Sequence, residues 1–320
     1  MPVQGLTRAL AARLEEMAQS GRLKGNEAVI SRIIPARGAH GPRYVIEGED
    51  RLFLRMNSNS YLGMGLRAEI IEAEERGADT WGTGPGAVRF VSGTWSPHVA
   101  LERRLAAFHG RSAAILFSSA YAAMMGLVPP LVTDRTAVIS DALNHNCIIN
   151  AIALARPAEK FVYKHLDLGE LERALAAASN KCRRAIIVTD GIFSMRGDHA
   201  PLDRIIELAR SYDGAFDENA IVIVDDSHGV GAFGARGRGT EEFTQSALQP
   251  VCWWRRSARP SESTAAMSPA TTPSSDICAR PHPSTSTPIR LHRLRPQQLW
   301  PLSIFSTAPP AWRCLCICAQ

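Results

Sequence analysis

The segment that most constrains this chain is residues 220–234. An apolar run, Ile221-Val222-Ile223-Val224, is closed by Asp225-Asp226-Ser227-His228-Gly229 and followed by Gly231 and Gly234. A continuous β-branched run reads as a strand buried on both faces of a parallel sheet, and open α/β sheets take their ligands beyond the carboxyl ends of such strands. Asp225 and His228 are therefore the first candidates for chemistry. An acid at the strand end, with an imidazole three residues on, offers polar groups to two edges of one flat ligand. The plainer reading is that an acid after a strand caps the next helix. The rest of the chain has to decide.

Upstream, apolar runs alternate with helical patterns. Strands are expected at 113–117, 137–140, near 161–163 and at 185–189, with helices at 98–109, from the 118–121 turn through Leu127, up to about Leu154, and at 168–178 and 201–212. This alternation predicts an α/β fold, a mostly parallel sheet covered by helices. Ahead of it, Leu6, Leu10, Leu14 and Met17 give an amphipathic helix that Gly21 ends. Tyr44-Val45-Ile46 and Leu52-Phe53-Leu54 flank Glu47-Gly48-Glu49-Asp50 and read as a β-hairpin. The hairpin leads into the polar loop Asn57-Ser58-Asn59-Ser60, which faces either substrate or solvent.

Charge and composition remove several function classes. The formal balance of +5 is uneven: from Gln249 onward eight Arg stand against Glu262 and Asp276, a balance of +6, which leaves the preceding 248 residues at −1. The body thus carries no electrostatic footprint for nucleic acid. No apolar run is long enough to span a bilayer and no signal pattern opens the chain, so a cytoplasmic protein is expected. Gly82-Thr83-Gly84-Pro85-Gly86 lacks both the spacing and the leading strand of a dinucleotide loop. The strand at 113–117 enters the turn Ser118-Ser119-Ala120-Tyr121 and then a helix, an arrangement that aims backbone N–H groups at a phosphate. His145 follows another strand end, where it either stacks flat on an aromatic cofactor or serves a structural hydrogen bond. Pyridoxal phosphate is a ligand that such groups suit.

Five motifs in order carry a resemblance: Asn59-Ser60-Tyr61-Leu62-Gly63; Val88-Arg89-Phe90-Val91-Ser92-Gly93-Thr94 with His98; Ser140-Asp141-Ala142-Leu143-Asn144-His145; Asp190-Gly191-Ile192-Phe193-Ser194-Met195; and Val224-Asp225-Asp226-Ser227-His228. Over about residues 5–245 the chain resembles the α-oxoamine synthases, fold-type I pyridoxal-phosphate enzymes that join an amino acid to an acyl-coenzyme A. The resemblance implies a homodimer using glycine or a similar amino acid. It implies that Asp225 pairs with the pyridine nitrogen, that His145 stacks on the ring and that Ser194 and His228 reach its phenolic side. It also assigns the phosphate to Ser119, Ala120 and Tyr121 and the amino-acid substrate to Asn59. No metal is implied. Ala120, Met124 and Arg196 depart from the family's usual Gly, Asn and acid.

One required residue is missing. The family's Schiff-base lysine follows the Asp-x-x-His strand by about thirty residues, yet no lysine occurs after Lys181. The texture also changes: the last Gly is Gly239, while eleven of twenty Pro, five of seven Cys and four of six Trp lie after Leu248. A natural linker or tail rarely carries so much Trp and Cys. The alternating cysteines of Cys314-Leu315-Cys316-Ile317-Cys318 are also unlike a C-x-x-C metal pattern.

Reading codons from the third base onward is informative. Trp is always TGG, so Cys252-Trp253-Trp254 forces Leu-Val, and residues 255–260 then permit Ala-Thr-Leu-Gly-Lys-Ala, the family's lysine turn. Residues 261–264 permit Phe-Gly-Val-Asn. The expectation is therefore an N-terminal helix and hairpin segment at 1–50, an incomplete cofactor-binding large domain at 51–245, and an out-of-frame, disordered tail at 246–320. The C-terminal small domain is missing and the chain as written is inactive.

Overall fold

A computed structural model describes residues 3–25, 27–246 and 314–318. The chain divides into two compact units, Met1–Arg76 and Gly77–Gln320. The first contains α1 (Gln4–Gln19) and a three-stranded antiparallel sheet of β1 (Ile30–Ile34), β2 (Arg43–Ile46) and β3 (Leu52–Phe53). The expected hairpin is present, with Tyr44 opposite Phe53 and Val45 opposite Leu52. Gly48 takes φ +80° in its turn, where a side chain would be strained. α1 has the expected extent, and its leucines Leu6, Leu10 and Leu14 are exposed. The unit closes with a 3-10 segment, Tyr61–Leu66, and α2 (Ala68–Trp81), which continues across the boundary.

The second unit carries α3 (Arg89–Ser92) and α4 (Ser96–Phe108), then β4 (Ala113–Phe117), α5 (Ala120–Leu131), β5 (Thr136–Asp141), α6 (Asn146–Ala155), β6 (Glu159–Tyr163) and α7 (Leu168–Ser179). After these come β7 (Arg184–Asp190), α8 (Leu202–Ser211), β8 (Ala220–Asp225), α9 (Thr240–Phe243) and β9 (Cys314–Cys318). Four strands form a parallel sheet in the order β6-β5-β7-β8. Separately, β9 pairs in parallel with β4. Of the tail from residue 247, only this strand lies within the described residues.

Side chains alternate across each strand, so the four-stranded sheet buries both faces. On one face Val138, Ile186, Val188 and Ile223 meet Leu127 and Val128 of α5 and Ile148 and Ile152 of α6. On the other, Ile139, Ile187 and Val222 meet Leu171 and Leu175 of α7 and Leu202, Ile205 and Ile206 of α8. Each of these large side chains contributes roughly 1.5–3 kcal/mol by leaving water.

Side-chain caps fix where the helices begin: Ser119 Oγ accepts from the Ala122 N–H at 3.0 Å, and Asp167 Oδ1 from the Glu170 N–H at 2.9 Å. Pro129 and Pro130 fall in the last turn of α5, where the helix has to end. Among the described residues no helix is long and apolar enough to cross a membrane.

Candidate active site

Three neighbouring strands end in aspartate: β5 in Asp141, β7 in Asp190 and β8 in Asp225. The parallel register brings their carboxylates to one edge of the sheet, and Asp190 stands opposite Asp225 on the last rung. Each of the three is solvated differently.

Asp141, buried, accepts from the backbone N–H of Leu143 (2.8 Å) and Leu166 (3.0 Å) and from His165 Nδ1 (3.0 Å). Asp190 accepts from the His145 N–H at 3.1 Å, but its second oxygen is buried without a partner. Burial first, and then the charge of Asp225, pushes the Asp190 carboxyl up to about 7. Asp225 is half-buried and accepts from the Ser227 N–H (3.1 Å) and hydroxyl (2.5 Å), while the Cys147 thiol donates to its other oxygen at 3.5 Å.

Asn144 stitches this edge together. Its amide donates to Ser140 Oγ (2.9 Å) and the Val188 carbonyl (2.7 Å), and its oxygen accepts from the Asp190 N–H (2.9 Å). The turn into α6 is thereby fixed, and it delivers His145 as an exposed N-cap whose Nδ1 accepts from the Cys147 N–H at 3.2 Å. Cys147 itself is buried. Its thiol is pushed up to about 12, by burial first and then by Asp225, and stays protonated.

Asp226, beside Asp225 in sequence, does different work. Its carboxylate accepts from the Thr240 N–H (2.7 Å) and hydroxyl (2.5 Å), and a Cβ added at Gly191, Gly229 or Gly239 would lie within 2.3 Å of its oxygens. Burial pushes its carboxyl up to about 6, against the Thr240 hydrogen bonds. A glycine cradle thus locks Asp226 into the fold and leaves Asp225 half-buried at the end of β8.

Of the residues predicted from sequence, the structure brings His145 and Asp225 to one edge, linked through Cys147. His228 is half-buried three residues past the β8 end, Ser194 is exposed in the loop after β7, and Ser119, Ala120 and Tyr121 form the start of α5, with the Tyr121 hydroxyl accepting from Asn150 at 2.7 Å. Asn59 belongs to the first unit, on its exposed loop, where its carbonyl accepts from the Tyr61 N–H at 2.8 Å. Sequence reasoning gave no role to Asp190, Asn144, Cys147 or His165. Asp190 bore the same signal as Asp225, an acid closing an apolar run. The other three had none, because each acts on a partner in a distant segment of the chain.

A parallel sheet covered on both faces, with a strand-end aspartate beside a capping histidine, defines the large domain of a fold-type I transferase. A sequence model described as aminotransferase class I and II matches residues 52–248, and the chain belongs to that family, in its α-oxoamine synthase branch.

An 8-amino-7-oxononanoate synthase from Geobacter sulfurreducens is 41% identical over 238 residues, covering 74% of this chain and 56% of the relative. A mitochondrial 2-amino-3-ketobutyrate coenzyme A ligase from Bos taurus is 40% identical, covering 73% and 52%. Among solved structures, Sphingomonas wittichii serine palmitoyltransferase matches with TM-score 0.65 and 27% identity, over 77% of this chain and 58% of that one. A serine palmitoyltransferase structure carrying pyridoxal phosphate matches with TM-score 0.61. The chain spans about half the length of the curated relatives it matches.

Proposed function

We propose that residues 51–245 are the cofactor-binding large domain of a pyridoxal-phosphate-dependent acyltransferase that condenses an amino acid, glycine first among them, with an acyl-coenzyme A. We propose also that the chain as written lacks the residue needed to turn over. The observation that carries the reading is the end of β8: the half-buried Asp225 carboxylate, opposite Asp190 on the last rung and linked through Cys147 to the exposed His145. Such a site suits a protonated ring nitrogen.

The residues present fit the cofactor's ring and phosphate. Asp225 supplies the acceptor for a cationic ring N–H, the exposed His145 imidazole supplies a flat partner for the ring, and the free N–H groups at the start of α5, with Ser119, supply donors for the phosphate. Ser194 and His228 are assigned to the phenolic oxygen, and Asn59 to the amino-acid substrate. When bound, pyridoxal phosphate supplies the electron sink for the bond broken at the substrate's α-carbon.

The tether and proton carrier do not fit. The chain's four lysines are Lys24, Lys160, Lys164 and Lys181. Lys24 lies after α1 and Lys160 within β6. Lys164 pairs with Glu170 at 2.7 Å, and Lys181 pairs with Glu159 at 3.0 Å. None stands at the β7 or β8 strand end.

The third-base reading of residues 251–264 supports a shifted frame as the reason. An active relative would then be a cytoplasmic homodimer of glycine C-acetyltransferase type. An 8-amino-7-oxononanoate synthase is the second reading, supported by the names of several relatives.

The test is to resequence the gene across codons 235–265 and to express both frames. The corrected product is expected to bind the cofactor with the visible absorbance of a lysine-tethered form and to release coenzyme A from glycine and acetyl-coenzyme A. Formation of 8-amino-7-oxononanoate in place of a product from glycine and acetyl-coenzyme A selects the second reading. A confirmed present frame with stable, colourless protein that binds an intact homologue makes the chain a lysine-less partner subunit and overturns the enzyme reading.

A further inference from the structure

His165, in the turn after β6, has a carboxylate on each side of its ring. Nδ1 lies 3.0 Å from Asp141 Oδ1 and Nε2 lies 3.1 Å from Asp198 Oδ2. A carboxylate only accepts, so both contacts are hydrogen bonds together only when the ring is an imidazolium. Its edge meets the Phe193 ring at a centroid separation of 4.4 Å, nearly perpendicular. Among the described residues Arg196 also joins the contact, its Nε donating to the same Asp198 oxygen at 3.0 Å. Lys164, next in sequence, is paired instead with Glu170.

We propose that His165 is a protonation-dependent clamp: as an imidazolium between Asp141 and Asp198 it pins the loop of residues 191–199 to the carboxyl end of β5, and loss of one ring proton frees that loop. Ser194 rides on this loop, so the clamp positions it. That consequence alone rests on the function proposed above.

The two sides of the clamp are unequal, which decides the side that opens. Asp141 has a fully enclosed side chain already fixed by two backbone N–H groups. The Asp198 side chain is about one-third exposed, and Arg196 remains to hold it. A neutral imidazole keeps a single N–H, and the more buried acceptor retains it. The proton therefore leaves Nε2 for water, and the 191–199 loop is the part released.

Burial by itself would lower the His165 pKa. The two carboxylates together outweigh burial and hold it above the ordinary 6.5. A proton held more tightly in the folded chain than in the unfolded one stabilises the clamp fully below the ordinary value, and that stabilisation is lost as pH rises through the elevated one.

The experiment is hydrogen–deuterium exchange on the full chain without added ligand, from about pH 5 to about pH 9, corrected for intrinsic exchange, with the His165 ring followed by NMR. The reporters are the Arg196 and Gly197 amides, which donate to the Phe193 carbonyl at 3.0 and 2.8 Å. The expected result is one step in which they lose about tenfold in protection, the worth of one charged hydrogen bond. That step coincides with the His165 titration while the β5 and β7 amides stay unchanged.

His165→Gln should show the low level at every pH. No step, a step away from the His165 midpoint, or a step surviving in His165→Gln overturns the proposal. Should that variant not fold, Asp198→Asn keeps the Asp141 contact and should lower the His165 midpoint; an unmoved midpoint overturns it equally. None of these readouts involves the cofactor, so a failed clamp and a failed cofactor reading give different results.

Discussion

Asp190 and Asp225 face each other across the last rung of the β7–β8 ladder, and the backbone N–H of His145 donates to Asp190 at 3.1 Å. One carboxyl of the pair is therefore under pressure to keep its proton, and that one is Asp190, the more buried. The pair explains how a strand-end edge carrying three aspartates stays compatible with a folded sheet.

Asp190→Asn removes that pressure. The folded-state pKa of about 7 lies above the ordinary 3.8, so the native chain loses stability as pH rises from about 4 to about 7. The amide can still accept from the His145 N–H. The variant is expected to gain roughly 1–4 kcal/mol over the parent at pH 8 and little at pH 4. Denaturant titrations at the two pH values check this, and equal differences at both would refute it.

Gly239→Ala tests the cradle around Asp226. The glycine has φ +88°, and an added Cβ would lie 2.0 Å from Asp226 Oδ2. Strain and displacement of a hydrogen-bonded carboxylate should together cost about 2–4 kcal/mol. Gly214→Ala, with open space at its Cβ, is the control and should cost under about 1 kcal/mol.

Cys147 is expected to resist alkylation in the native chain. It is 1% exposed, and its thiol is held protonated near 12 by burial and by Asp225. Site-resolved mass spectrometry after iodoacetamide at pH 8 should find it modified only as fast as the sheet opens. Rapid labelling in folded protein would show that the Cys147–Asp225 contact does not form.

Leu171→Ala should cost about 2–5 kcal/mol, since Leu171 is fully buried between α7 and the sheet. Leu10→Ala, on the exposed face of α1, should stay within about 0.5 kcal/mol. Thermal or denaturant melts separate the two, and comparable losses would mean that α1 buries its apolar face.

The strands and helices between 120 and 225 were legible because most of them bury a face and so show their period. The sequence boundaries at 113–117, 168–178 and 201–212 fall within four residues of β4, α7 and α8. β1 and α2 went unassigned, since Ile30-Ser31-Arg32-Ile33-Ile34 is too short and mixed to declare a period, and α2 buries no residue that would impose one. The site was half legible. Asp225, His145 and Ser119 announce themselves at strand ends, whereas Asn144, Cys147 and His165 act on partners 44, 78 and 33 residues away.

The sequence by itself determined the α/β alternation, the candidate strand-end residues and the lack of any lysine after Lys181, because each is a matter of local pattern or simple presence. Only the tertiary structure decided which of Asp225 and Asp226 is locked into the fold. Both follow the same strand, but the glycine cradle and Thr240 engage one of them alone. It also decided that Asp190 shares a rung with Asp225 and that His165 bridges two carboxylates. Pairing register and loop closure set those distances, and neither is written in any one segment of the chain.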